Sequence, residues 1–194
     1  SSLTLPAGLS NLTTLDVSHN RAWLSLRLSE GLERLIDLNA QWCWLHDLDL
    51  PAGLQSLTTV DLRGTPLSRL GLPDGLTALR TLNLRSTALT NLTLPEGMSG
   101  LTTLDLAHAW LLTNLVCPPG LTNLRTLDLE GCAQLGRLEL PGDMPGLTTL
   151  ELRNHQLSSL ILPKGFVRGL TVLDASGNQL AGFDLPEGPY DLVE

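Results

Sequence analysis

A β-rich solenoid, one short unit repeated end to end, is the fold class predicted by this sequence of 194 residues. Three observations predict it. A leucine or valine followed by a short acidic or amide residue recurs at Leu15, Leu38, Val60, Leu82, Leu104, Leu127, Leu150 and Leu173, at intervals of 23, 22, 22, 22, 23, 23 and 23 residues. A proline keeps step with it at Pro6, Pro51, Pro73, Pro95, Pro118, Pro141, Pro163 and Pro186, with Ser29 filling the single gap. Around each marker, apolar and polar residues alternate: in "LTTLDL" (101–106), Leu104 and Leu106 alternate with Thr103 and Asp105, the pattern of a strand with one buried face. A fixed period of this length is the signature of a stacked array.

Each element of the unit follows from its residues. A strand this short cannot bury its leucines alone, so copies must stack as parallel strands about 4.8 Å apart. A second alternating pair precedes each proline, as in Leu48 and Leu50, Leu70 and Leu72, or Leu160 and Leu162, and predicts a short strand on the other side of the coil. Proline ends that strand because it fixes φ and cannot donate to a ladder. The following Gly-Leu-x-x-Leu segment is too short for a stable α-helix and is expected to form a 3₁₀ turn. The array runs through residues 1–194 as one domain of about eight copies, without linker or charge block.

The last copy, "LTVLDASGNQL" (170–180), fits the pattern LxxLxLxxNxL with Ala175 in one leucine slot. On that motif the chain resembles the leucine-rich repeat family over essentially its whole length. The downstream half of a copy, such as "LTLPEGM" (92–98), is similar to the second strand and proline turn of plant-type and related bacterial members. The resemblance implies a right-handed superhelix of the β/α type. It would carry a concave parallel sheet of about eight strands, with short second strands and 3₁₀ turns on the convex side.

Composition narrows the function. Twelve Lys plus Arg stand against twenty Asp plus Glu, a net charge of −8, which argues against general binding of nucleic acid or anionic membranes. No run of 18 apolar residues is present to span a bilayer. The start "SSLTLPAGLS" has neither the basic end nor the apolar stretch of a signal peptide. His19, His46, His108 and His155 are scattered, with no expected pocket shared by a histidine, a nucleophile and an orienting acid, and there is no Gly-rich phosphate loop. An enzyme, a metal and a cofactor are therefore not expected. The two "NLT" triplets, at 11–13 and 91–93, match a glycosylation acceptor but are also ordinary wording of the repeat.

Comparison among the copies locates the information. The slot between the two strand leucines is nearly uniform: Asp16, Asn39, Asp61, Asn83, Asp105, Asp128, Glu151 and Asp174. It reads either as framework or as a ladder for cations or basic peptides. The next outward slot is mixed: Ser18, Gln41, Arg63, Arg85, Ala107, Glu130, Arg153 and Ser176. The one after it holds His19, Trp42, Gly64, Ser86, His108, Gly131, Asn154 and Gly177, with no common chemistry. Beyond an inward slot, the next outward position holds Arg21, Trp44, Pro66, Ala88, Trp110, Ala133, Gln156 and Gln179.

Trp42, Trp44 and Trp110 are unexpected in outward slots of a chain with 4% aromatic residues. A tryptophan buries about 200 Å² when covered, so either a partner covers these indoles or they fold over neighbouring loops. The candidate ligand-binding residues are His19, Arg21, Trp42, Trp44, Arg63, Arg85, His108 and Trp110. Arg63 and Arg85 are expected side by side, neutralised by Asp61 or awaiting an acidic group. Trp23 falls in an inward slot and is expected in the core. Cys43, Cys117 and Cys132 are also expected inside, unpaired and inert.

The reading expected from all this is a non-enzymatic binding module for a protein or other macromolecule, its uniform framework resembling that of repertoire-type receptors. The alternative is a structural or assembly element that packs through its repeats without a specific ligand. Nothing decides the oligomeric state. The close similarity of the copies leads to the expectation of a bacterial protein, secreted or on the cell surface. Solenoid ends need polar caps, and only "PYDLVE" resembles one, so the chain is expected to be part of a longer protein.

Overall fold

In the computed structural model the chain winds as a parallel β-solenoid with one turn per 22–23-residue copy. The structure describes residues 2–22, 25–136, 138–142, 144–157, 160–162, 169–181 and 183–184, with residues 161, 183 and 184 as backbone only. Trp23 and the "PYDLVE" segment lie outside the described residues.

One strand of every copy joins a single sheet of eight parallel strands. Numbered in chain order with the other strands, these are β2 (Thr14–Asp16), β4 (Asp37–Asn39), β6 (Thr59–Asp61), β8 (Thr81–Asn83), β10 (Thr103–Asp105), β12 (Thr126–Asp128), β13 (Thr149–Glu151) and β15 (Val172–Asp174). The register is the one the sequence period demands, pairing marker with marker, as in Leu38↔Val60, Val60↔Leu82 and Leu104↔Leu127. A one-residue slip would turn every leucine to solvent, which is why the register is sharply specified.

The second strands, β1 (Ser2–Thr4), β3 (Ser25–Arg27), β5 (Asp47–Asp49), β7 (Arg69–Gly71), β9 (Asn91–Thr93), β11 (Asn114–Val116), β14 (Leu160–Ile161) and β16 (Phe183–Asp184), do not make one sheet. They group as four, two and two.

Between the two strand sets runs a continuous leucine core. Leu38, Val60, Leu82, Leu104, Leu127 and Leu150 are all buried to 1% exposure or less, whereas Leu15 and Leu173, at the two ends of the sheet, are only partly covered. Interior copies are closed by neighbours on both sides. The energetics are those of a stack, in which each copy depends on the next.

Two expectations are corrected. The Gly-Leu-x-x-Leu segments contain neither α-helix nor 3₁₀-helix among the described residues. Each is a single turn closed by one i→i+3 bond, such as Leu35 N donating to Leu32 O or Leu57 N to Leu54 O, and the segment ends before a second such bond forms. The glycine ahead of six of these turns, such as Gly53 at φ 87°, supplies a left-handed residue that a side chain would strain. Cys43 and Cys132 are buried as expected, but Cys117 is only partly covered.

Candidate functional site

The uniform acidic slot is framework. The Oδ1 atoms of Asp16, Asn39, Asp61, Asn83, Asp105, Asp128 and Asp174 each accept from the backbone N–H two residues on, at 2.9–3.2 Å. Asp and Asn interchange here because both present that oxygen. The same bond from Ser18 holds the Asp16 carboxyl below its ordinary range, while burial pushes those of Asp105 and Glu151 up.

The inward asparagine slot is framework too. Asn178 donates to Leu152 O at 2.7 Å, one copy back. Cys43 makes the same reach to Val17 O and Cys132 to Leu106 O, at 2.9 and 3.2 Å. His155 does so to Leu129 O through Nε2. Thr65 and Thr87 donate instead to Leu62 O and Leu84 O within their own copies.

The slot without common chemistry turns out to have a common backbone. His19, Trp42, Ser86, His108 and Asn154 have φ of 56–59°, and Gly64, Gly131 and Gly177 have 67–71°. All eight copies make the same left-handed turn. It lets the ladder run past the strand: His19 N donates to Gln41 O, Trp42 N to Arg63 O, Gly64 N to Arg85 O and His108 N to Glu130 O. Glycine accepts this conformation readily, and asparagine and histidine more often than most, but tryptophan and serine do so at a cost of about 1–2 kcal/mol. Backbone geometry constrains this slot, and two copies hold residues that fit it poorly, Trp42 and Ser86.

The structure separates the tryptophans. The Trp42 indole is folded onto the next copy, where a Cβ on Gly64 would lie 2.3 Å from its Cε3. Trp44 and Trp110 stand apart from it. They form the two ends of a trough of about 400 Å³ floored by Thr65, Pro66, Thr87 and Ala88, with His46, Gly64 and Ser86 at its rim. Trp44, Pro66, Ala88 and Trp110 occupy one slot in four successive copies, so the backbones of the two tryptophans are about 14 Å apart at strand spacing. Trp44 and Trp110 are 53% and 57% exposed.

The other candidates lie around this trough. Arg63 donates to Gln41 Oε1 at 2.6 Å and pairs with Asp61 at 3.5 Å. Arg85 turns the other way and reaches Asp128 at 3.9 Å, passing the buried Ala107. The like charges thus diverge along the sheet rather than facing each other. His19 and Arg21 are exposed on the first copy, and the His108 imidazole lies against Gly131. None of these lines the trough.

Pro66, Ala88, Ser86 and His46 were not among the sequence candidates. The signal for Pro66 and Ala88 was there: they fill the slot between the two tryptophans, and small residues between large ones make a depression. A larger cleft of about 520 Å³, lined by Thr113–Cys117 and Glu139–Pro141, opens on the second-strand side and has no aromatic wall. No protein-family model matches the chain, and no curated protein does.

Proposed function

We propose that the chain is a non-enzymatic binding module of the leucine-rich repeat type, which takes a protein or other macromolecular ligand at the strand ends of its second to fifth copies. The observation that carries this reading is the trough between Trp44 and Trp110, two half-exposed indoles at either end of a depression with a small-residue floor. An indole left in water forgoes most of the stabilisation its area offers, and a covered one dominates an interface. Tight packing of the solenoid beneath them limits the ordering cost of binding. The repeat type rests on the motif and the 22–23-residue period, supported by the parallel register and the inward hydrogen-bonding slot.

Affinity capture tests it. Immobilised wild-type protein should retain macromolecules from an extract that the Trp44→Ala/Trp110→Ala variant does not. Equal retention by both, or none by either, removes the trough from the function.

A further inference from the structure

We propose that the trough takes an extended, neutral, β-linked glycan of roughly four sugar rings lying along the solenoid axis, one ring per strand spacing of about 4.8 Å. This deepens the binding reading above and rests on it.

Three features point to this chemistry. The first is spacing. Trp44, Pro66, Ala88 and Trp110 line up in one slot of four adjacent copies, and the ring-to-ring repeat of an extended β-linked glycan is close to the strand spacing. Such a chain sets its end rings on the two indoles and its middle rings over proline and alanine. The apolar C–H face of a pyranose matches an indole face, whose π-cloud is electron-rich.

The second feature is charge. No carboxylate, lysine or arginine lines the trough, and the whole chain carries −8, so a polyanion finds no partner here and is repelled. Arg63 and Arg85, the nearest cations in the outward slots, are engaged with Asp61 and Asp128.

The third is the shortage of backbone groups. A peptide strand added to the trough would need a ladder, yet Gly64 N and Ser86 N already donate to Arg85 O and Ala107 O. The hydroxyls of Thr65 and Thr87 are likewise spent inward. What remains is stacking area, with the Ser86 hydroxyl and His46 imidazole at the rim for sugar hydroxyls. That inventory suits a glycan better than an added β-strand.

Affinity electrophoresis at neutral pH provides the test, with hydroxyethylcellulose, xyloglucan, galactomannan and β-glucan as probes and carboxymethylcellulose as the anionic control. At least one neutral polysaccharide should retard the wild-type protein, and Trp44→Ala and Trp110→Ala should each weaken that binding tenfold or more. The anionic control should retard it less than its neutral counterpart. Circular dichroism and thermal melting confirm that both variants are folded. Absence of retardation by every neutral probe overturns the glycan inference, as does retardation that survives both substitutions. If proteins from an extract are still retained through Trp44 and Trp110 while no glycan binds, the glycan inference falls and the binding module stands. If retention fails as well, both fall.

Discussion

The Trp42 indole lies over Gly64 of the following copy, so close that a Cβ on residue 64 would be 2.3 Å from Cε3. His108 stands in the same relation to Gly131 and Asn154 to Gly177. In these three pairs the side chain in the left-handed slot leans onto the next copy, where the residue is glycine. Glycine is therefore needed twice at position 64, for φ of 67° and for the space.

Gly64→Ala should cost about 2 kcal/mol or more, part from the left-handed backbone and part from the displaced indole. In a Trp42→Ala background only the backbone part remains, so the two substitutions should be strongly non-additive. Urea unfolding of the four proteins measures the coupling. Simple additivity would mean the indole does not rest on residue 64.

Ser86 holds the same left-handed conformation, φ 56°, without the freedom of glycine. Asparagine tolerates that region better than serine. Ser86→Asn should stabilise the fold by about 0.5–1 kcal/mol. A rise in the urea midpoint with unchanged slope is the expected result. A fall would show that the serine hydroxyl contributes more than the backbone strain costs.

The stacked fold was legible because period and alternation are properties of the chain itself: Leu104 had to meet Leu82 and Leu127 once the period was recognised. The left-handed slot was only half legible. Gly64, Gly131, Gly177 and Asn154 announce it, but Trp42 and Ser86 have the wrong propensity and disguise it. The division of labour between Trp42 and Trp44 was not legible at all. Both slots point outward, and nothing in the residue types says that one side chain lies over Gly64 while the other lines the trough. The 3₁₀ turn failed for a simpler reason, since Leu32 to Leu35 has room for one bond of that kind and no more.

His155 fills an inward slot at 3% exposure and bonds to Leu129 O. Burial lowers its pKa, and its Nδ1 lies buried without a hydrogen-bond partner. The folded chain therefore resists the proton that the unfolded chain accepts near pH 6.5. Stability from this group is fully present above that pH and is lost as pH falls toward the depressed folded value. His155→Asn should keep the carbonyl bond, as Asn178 does, and flatten the stability difference between pH 7.5 and pH 5. Identical pH slopes for the two proteins would refute a neutral buried imidazole.

The thiols of Cys117 and Cys132 are pushed up to about 12 by burial, and that of Cys43 is raised for the same reason. At pH 8 none presents an appreciable thiolate. A disulfide reagent should label the native protein slowly, Cys117 first because it is the least covered, and all three at once in urea. Fast stoichiometric labelling of Cys43 or Cys132 without denaturant would contradict their inward placement.

Stability and binding should separate the tryptophans. Trp44 and Trp110 are more than half exposed at the trough, so either alanine should cost less than about 1 kcal/mol of folding stability. Leu104→Ala, in the closed core, should cost about 2–5 kcal/mol. Trp42 gives up its contact with Gly64 when truncated, so Trp42→Ala should destabilise by about 1–2 kcal/mol through lost packing. Binding is expected to rank the other way. A ligand seated in the trough loses about 2 kcal/mol with Trp44→Ala or Trp110→Ala and much less with Trp42→Ala, whose side chain faces a different neighbour. Melting curves and titrations on the same three variants decide between the two assignments. If Trp42→Ala weakens binding as much as Trp44→Ala, the contact surface extends along the left-handed slot toward His19 and is not confined to the trough.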